Sequence, residues 1–475
     1  MRFPSALDYK GSGMASSVLP PPAAGAQRIA VIGSGISGLS AAWLLSQRHA
    51  VTLFEAEDRL GGHSNTVDTE AGPIDTGFIV YNEATYPNLT ALFAHLRVPT
   101  KPSDMSLGVS LDGGRLEYSG DSLSSLYAQP RNLLSIRFWS MLRDLFRFYR
   151  EAPGHAGALE EVSLHDYLSA QDYGAAFRDD HLYPMAAAIW STPAAEIGAY
   201  PAAAFIRFCA NHGLLQLRDR PLWRTVDGGS RAYVERLAAA FQGEFHLGRA
   251  VRSVRRPTRG NTGGGVEIID GTGRMERFDH VVLATHADQA LNMLSDPTEE
   301  ERALLGAFRY TVNDAVLHTD VSLMPRRRRV WSSWNYLSRQ DGDRRRLSVT
   351  YWMNRLQDIP GRTPYLVTLN PLHDPRPDSV IHRARYTHPR FDMAALAAQK
   401  RLWSLQGRND TWYCGAHFGA GFHEDGLQAG LAVAEALGGV RRPWQVREES
   451  GRIALAPLPV LPARTAAALD LDLAS

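Results

Sequence analysis

Cysteine is almost absent: Cys209 and Cys414 are the only two in 475 residues. That excludes a disulfide framework and a cysteine-built zinc site, and it suits a reducing compartment. Lysine is nearly as scarce. Of 51 lysine and arginine residues only Lys10, Lys101 and Lys400 are lysines, which leaves 48 arginines, a bias that codon usage alone can produce. Net charge is close to zero, at +1, so no global field draws the chain to nucleic acid. No apolar run reaches the ~18 residues of a membrane span, and residues 1–26 interrupt any signal-like segment with Asp8 and Lys10. A cytoplasmic location is expected. Internal repeats are lacking, which excludes solenoids and propellers. The spacing of His417 and His423, H-x-x-x-x-x-H, matches no metal-ligand pattern, so no metal is expected.

Hydrophobic residues make up 44% and charged residues 21%, ordinary globular usage for a chain long enough for two lobes. Residues 1–26, rich in Gly, Ser, Pro and Ala, are expected to form a disordered tail. Met14 follows Gly-Ser-Gly, so residues 1–13 read as a vector leader.

The informative part begins at Arg28. A short apolar run, Ile29–Ile32, leads into glycines at 33, 35 and 38. Small or apolar residues then recur with helical spacing at Leu39, Ala42, Trp43 and Leu45, and a second apolar run, Val51–Phe54, ends on Glu55. Strand, G-x-G-x-x-G turn, helix and second strand with a terminal acid together form a dinucleotide-binding βαβ unit. Gly33 permits the tight turn, Gly35 lets backbone approach a pyrophosphate, and Gly38 lets the helix pack close to the strand. Ile36 and Ser37 open the helix whose N-terminus faces phosphate. Glu55 is placed to accept hydrogen bonds from ribose hydroxyls, which disfavours a 2′-phosphate. This unit alone leaves NAD and FAD open.

The continuation Glu55-Ala56-Glu-Asp-Arg59-Leu-Gly61-Gly62-His63 resembles the E-x-x-x-R-x-G-G extension of FAD-containing flavoproteins of the amine-oxidase type, a superfamily that includes flavin-containing amine oxidoreductases and phytoene-desaturase-like enzymes. The resemblance implies FAD, and it runs from about Arg28 to about Gly439. Ile74-Asp75-Thr76-Gly77-Phe78 is similar to the family segment that returns toward the isoalloxazine. Asp227-Gly-Gly-Ser230, the helical stretch after it and Arg249-Ala-Val251 resemble the part that sets a valine backbone, here Val251, against adenine. Trp412-Tyr-Cys-Gly415 through Gly421-Phe-His423-Glu424-Asp425-Gly426 looks like the C-terminal FAD motif, with Glu424 and Asp425 equally able to cap the following helix. Within the superfamily the chain is similar to bacterial predicted flavoproteins and to the flavin domain that precedes cyclopropane-fatty-acid synthase in plants.

The resemblance implies an α/β fold: a two-dinucleotide-binding-type FAD domain, Rossmann-like and discontinuous (residues 27–105, 205–285 and 405–445), with an inserted α+β substrate domain (106–204 and 286–404) and a C-terminal tail (446–475). Many amine-oxidase relatives hold a lysine opposite flavin N5; this chain has none between Lys101 and Lys400, which counts against amine oxidation. The family's covalent flavin cysteine also has no counterpart, since Cys414 sits in the strand-like WYCG, so FAD is expected to be noncovalent.

No catalytic base is named. The candidates are His417 and His423, which flank the glycine turn, and Trp352 and Asn354, same-face neighbours by the period-two rule if Ser348–Asn354 is a strand. Val330–Tyr336 and Ser348–Asn354 are expected to pair antiparallel. Asn132–Tyr149 interleaves arginines with bulky apolar residues, and Arg326–Arg329 precede Trp331 and Trp334. Both patterns suggest peripheral membrane contact and a lipid-like substrate. The expected function is hydride transfer from a fatty-acyl or isoprenoid-like substrate to FAD; amine oxidation and a non-enzymatic role beside a lipid methyltransferase stand as alternatives.

Overall fold

A computed structural model of the chain describes residues 25–159, 162–190, 197–216, 221–257, 264–341 and 344–455. Most of the two expected tails lies outside these residues.

A strand apolar along its length and buried on both faces is characteristic of a parallel sheet covered by helices. Arg28–Ile32 is the central strand of such a sheet, with Ala50–Phe54 and then Glu244–His246 on one side, His280–Leu283 and then Thr411–Tyr413 on the other, all parallel. The helix Ile36–Leu45 is buried at all ten positions. It is covered by the helix His423–Ala436, which approaches so closely that a Cβ on Gly430 would lie 2.2 Å from the Ser37 carbonyl oxygen.

The second lobe is a seven-stranded sheet in the order Val380–Arg390, Arg309–His318, Leu366–Leu369, Arg344–Trp352, Trp334–Asp341, Leu107–Leu111, Leu116–Ser119. Only the pair Trp334–Asp341 with Leu107–Leu111 is parallel. The helices Ile136–His155, Leu164–Ala170, Tyr183–Trp190 and Ala202–Asn211 share one apolar core with this sheet, Phe138, Phe148, Phe177 and Phe205 packing with Tyr336 and Val349. A smaller sheet of Val80–Asn82, Trp223–Val226 and Thr100–Ser103 adjoins.

Asp75 ties the two lobes together. Its fully buried carboxylate accepts from Thr66 Oγ1, from Ser230 N and Oγ, and from Gln357 Nε2 at 2.6–3.0 Å. At the other end of the chain, Arg452 donates to Asp425 and to the Thr85 carbonyl, and Ile453 is buried, so this part of the stretch assigned to a tail is packed.

The expected antiparallel pair is present, with Trp334 opposite Tyr351, but its ends differ from the sequence reading. Arg328–Val330 is a 3-10 turn and the strand begins only at Trp334. Its partner stops at Trp352, because the Met353 amide takes the Tyr365 carbonyl and the chain turns into the short helix Met353–Leu356. Asn354 therefore never shares a strand face with Trp352.

Candidate active site

Between the lobes lies a cavity of about 1680 Å³, larger than the ~300–1,000 Å³ of a typical single-ligand pocket. At one end it is walled by the glycine turn. Gly33 has φ +101°, and a Cβ there would meet the Ala284 carbonyl oxygen at 2.9 Å. Gly38 does not reach the cavity; a Cβ on it would lie 1.9 Å from the Gly33 carbonyl oxygen, which is why the helix can sit on the strand at all. Gly35, Ile36 and Ser37 line the wall, and Gly35 offers no side-chain cap to the helix amides behind it.

Glu55 sits at the end of the second strand as expected. Its Oε2 accepts from Ser34 N and Oγ at 2.8 and 2.6 Å, and Oε1 from Glu57 N at 2.9 Å. The carboxylate is thus fixed in direction with lone pairs to spare. The Gly61 amide reaches back to the Ser34 carbonyl at 3.1 Å, and Arg59 donates to the Gly62 and Ser64 carbonyls, so the extension is clamped onto the first turn. Ala56, Arg59, Gly61, Gly62, His63, Thr76, Gly77, Phe78, Val251, Gly415 and Gly421 all line the same cavity.

His423 stacks on Phe78, ring centroids 3.8 Å apart, and its Nε2 is 2.6 Å from the Tyr233 hydroxyl. His417 is buried in the cavity wall, and its Nε2 has no hydrogen-bond partner. A bare helix N-terminus, an oriented acid at the end of the second strand and an orphaned ring nitrogen fit a dinucleotide with a diphosphate.

Five expected site residues do other work. Glu424 does not line the cavity; it caps the helix Pro87–His95, accepting from Asn88 N, Asn88 Nδ2, Leu89 N and Gln428 Nε2 at 2.9–3.0 Å. Asp425 accepts from the Phe422 amide and pairs with Arg452, capping its own helix. Gly426 is a packing residue whose Cβ would lie 2.9 Å from Ser37 Oγ. Trp352 packs edge-on to Trp331, and Asn354 holds the turn by accepting from Tyr365 N and donating to the Ile359 and Thr363 carbonyls. With the strand ending where it does, Tyr351 and Trp334 face the cavity instead, perpendicular at 4.8 Å.

A sequence profile of the family described as flavin containing amine oxidoreductase matches residues 36–437. The chain belongs to this family. Its cofactor is accordingly FAD and its class FAD-dependent oxidoreductase. The chain is similar to a Mycobacterium tuberculosis (strain ATCC 25618 / H37Rv) protein named as a flavin-containing monoamine oxidase, AofH, with 27% identity over 52% of this chain and 54% of that one. It is also similar to a coproporphyrinogen III oxidase of Mycobacterium leprae (strain TN), 25% identical over 56% of this chain and 60% of that one. The chain thus spans little more than half the length of these curated relatives. Among solved structures, a putrescine oxidase double mutant shares the fold at TM-score 0.64 and 16% identity, covering 86% of this chain and 98% of that one. These relatives give no support to the finer placement beside the flavin domain of plant cyclopropane-fatty-acid synthases.

The sequence reading missed a cluster of aromatic and imidazole rings in the cavity wall. His286 stacks on Tyr310 at 4.4 Å, and His63 lies 5.9 Å from His286, 5.5 Å from His388 and 5.2 Å from Tyr386. His286 follows three residues after the strand His280–Leu283, a signal available in the sequence; Tyr386 and His388 alternate on a strand that only the fold brings beside His63. Burial drives the imidazole pKa values down, to about 4 for His286 and about 3 for His388, His417 and His423. These rings are neutral at pH 7.

A pH dependence follows. Each folded-state value lies below the ~6.5 of an unfolded histidine, so the unfolded chain takes up the protons first. The stability these rings contribute is complete above about pH 6.5 and is lost as pH falls toward 3–4. Asp75, pushed up by burial to about 6, works in the opposite direction between about pH 4 and 6, as do Glu424 and Asp425, also raised by burial, but the buried imidazoles, with His181, His212 and His318 lowered as well, outnumber these three carboxyls. The melting temperature is expected to be level above pH 7 and to fall on the order of 10 °C by pH 5; a level profile from pH 7 to 5 contradicts the burial argument.

Proposed function

We propose that the protein oxidises or desaturates a hydrophobic, lipid-like substrate, with FAD held noncovalently at the glycine end of the cavity. The observation that carries this reading is the other end. It is walled by Val109, Leu142, Leu145, Met185, Ile189 and Trp334. The nearby carboxylates Asp104 and Asp121 are held by Arg355 at 3.0 and 2.9 Å, and burial keeps His181 neutral, its pKa down at about 4. An alkyl chain gains by leaving water here, roughly 0.8 kcal/mol per CH₂, whereas the carboxylates an ammonium group would meet, Asp104 and Asp121, are already engaged by Arg355. Noncovalent FAD is supported by the cysteines: both are buried, and neither is among the cavity-lining residues.

When bound, FAD supplies the hydride acceptor. The chain's own groups then have defined tasks. The first-turn amides behind Gly35 receive the diphosphate, Glu55 receives the ribose, and the neutral rings of His63, His286, His388 and His423 close the wall without adding charge. The apolar end aligns the substrate and excludes water, which orientation at a redox centre requires.

Amine oxidation stands as the second reading, on the family's name and on the perpendicular Trp334–Tyr351 pair, whose faces can receive an ammonium. Among the described residues no lysine lines the cavity. Anaerobic titration of the flavin-loaded protein separates the readings. Bleaching by fatty-acyl or isoprenoid compounds and not by aliphatic or aromatic amines is expected; the reverse establishes the amine reading. Flavin that no candidate bleaches points to the non-enzymatic partner of a lipid methyltransferase. Leu142→Trp, which fills the apolar end, is expected to raise KM for a long-chain substrate at least tenfold while leaving flavin content unchanged. An unchanged KM removes that end from the substrate path.

A further inference from the structure

The wall of the apolar end is also an outer surface. In the helix Ile136–His155, one face carries Phe138, Met141, Leu145 and Phe148 into the core, while the other carries Ile136, Trp139, Arg143, Phe146 and Arg150 outward at spacings of three and four. Exposed apolar residues here are not isolated: Ile136 is 88% exposed, Leu134 in the preceding turn 89%, and Leu123 75%, with Leu133, Trp139 and Phe146 each about half exposed. Trp139 joins the turn to the helix, donating from Nε1 to the Leu133 carbonyl at 2.8 Å and lying 6.1 Å from Tyr127.

We propose that this face, from Leu123 to Arg150, docks on an anionic lipid bilayer, and that the cavity opens onto the membrane surface. Two observations choose this occupant over a second copy of the chain. The first is charge: Arg131, Arg137, Arg143 and Arg150 are exposed among the apolar side chains, and the acids that Arg137, Arg143 and Arg150 pair with, Asp180, Asp144 and Glu151, are buried or half-buried, so arginines and not carboxylates are presented on this face. Arginine heads over apolar side chains match headgroup phosphates over acyl chains. The second is continuity: Phe146 and Leu126 belong to the face and also line the cavity, and Leu222, 81% exposed, lines it too. A lipid-like substrate can therefore pass from the bilayer to the cavity without crossing water. In the Arg326–Arg329 run Arg327 is turned inward, pairing at 2.8 Å with the fully buried Glu117, while Arg326, Arg328 and Arg329 are exposed.

The proposal gives a purpose to the hydrophobic-substrate reading and rests on it for that purpose only, so the test uses no substrate. Flavin-loaded full-length protein is sedimented with vesicles of phosphatidylcholine alone or mixed with phosphatidylglycerol. Binding to the mixed vesicles is expected, weakened at least tenfold by Leu134→Asp with Ile136→Asp and severalfold by Arg143→Gln with Arg150→Gln, with flavin spectra unchanged because these side chains lie outside the core. Failure of the wild-type protein to pellet with mixed vesicles, or equal binding by the apolar double variant, overturns the proposal. So does a concentration-dependent dimer that Leu134→Asp with Ile136→Asp dissolves, since the face is then a contact between copies. Turnover of a soluble lipid analogue by a protein that ignores vesicles leaves the substrate reading standing and removes only the membrane.

Discussion

Gly35→Asp is expected to give a folded, colourless protein. Gly35 has an ordinary φ of −62°, and a Cβ placed on it meets nothing within 4 Å, so the side chain itself costs the apo fold almost nothing. The open space is the cavity, at the mouth of the uncapped helix Ile36–Leu45. A carboxylate there occupies the helix N-terminus and repels a diphosphate, and like charges brought together in a site cost several kcal/mol. FAD affinity should fall more than about 100-fold, while the melting temperature of the apo form moves by less than about 2 °C. Flavin measured by absorbance after purification, together with a melt of the stripped protein, checks both halves. Retained flavin moves the diphosphate elsewhere.

Glu424→Leu is expected to do the opposite: a less stable protein that keeps its flavin. In the wild type the carboxylate satisfies two backbone amides at the start of the helix Pro87–His95 and two side-chain amides, all buried. Leucine fills the space and leaves the two backbone amides and Gln428 Nε2 unpaired, at roughly 1–3 kcal/mol each, while Asn88 Nδ2 keeps the Glu449 carbonyl. A loss of at least about 3 kcal/mol is expected, lowering the melting temperature by on the order of 5–10 °C. The flavin bands of the surviving protein should be unshifted, because Glu424 does not touch the cavity. A shifted flavin spectrum with an unchanged melt returns Glu424 to the cofactor site.

The contrast between these residues shows where the sequence was legible. Local rules sufficed for the βαβ unit: Ile29–Ile32, the three glycines and Glu55 each stand where their spacing puts them, in the strand, its turn and the end of the second strand, because strand, turn and helix are contiguous. The same holds for Arg59, Gly61 and Gly62, which fold back on the turn within thirty residues. Past that range the pattern weakens. Glu424 and Asp425 open a helix aimed at the cavity, and only the packed structure shows that residue 423 reaches the cavity while 424 and 425 turn to the helix Pro87–His95 and to Arg452. Trp352 and Asn354 failed for more local reasons: Trp352 lies on the strand face opposite Tyr351, which is the inward residue, and Asn354 falls past the strand's end, where Met353 pairs with Tyr365. His388 and Tyr386 gave no sequence signal because their place beside His63 depends on the order of a seven-stranded sheet.

The most direct test of the account is the visible absorption spectrum of the purified protein, taken before and after heat denaturation, with the released cofactor identified by chromatography. The account predicts a flavin spectrum that leaves the polypeptide on denaturation and runs as FAD. A colourless protein that cannot be reconstituted with FAD and takes up NAD(H) instead, or a flavin that stays bound to the denatured chain, contradicts it.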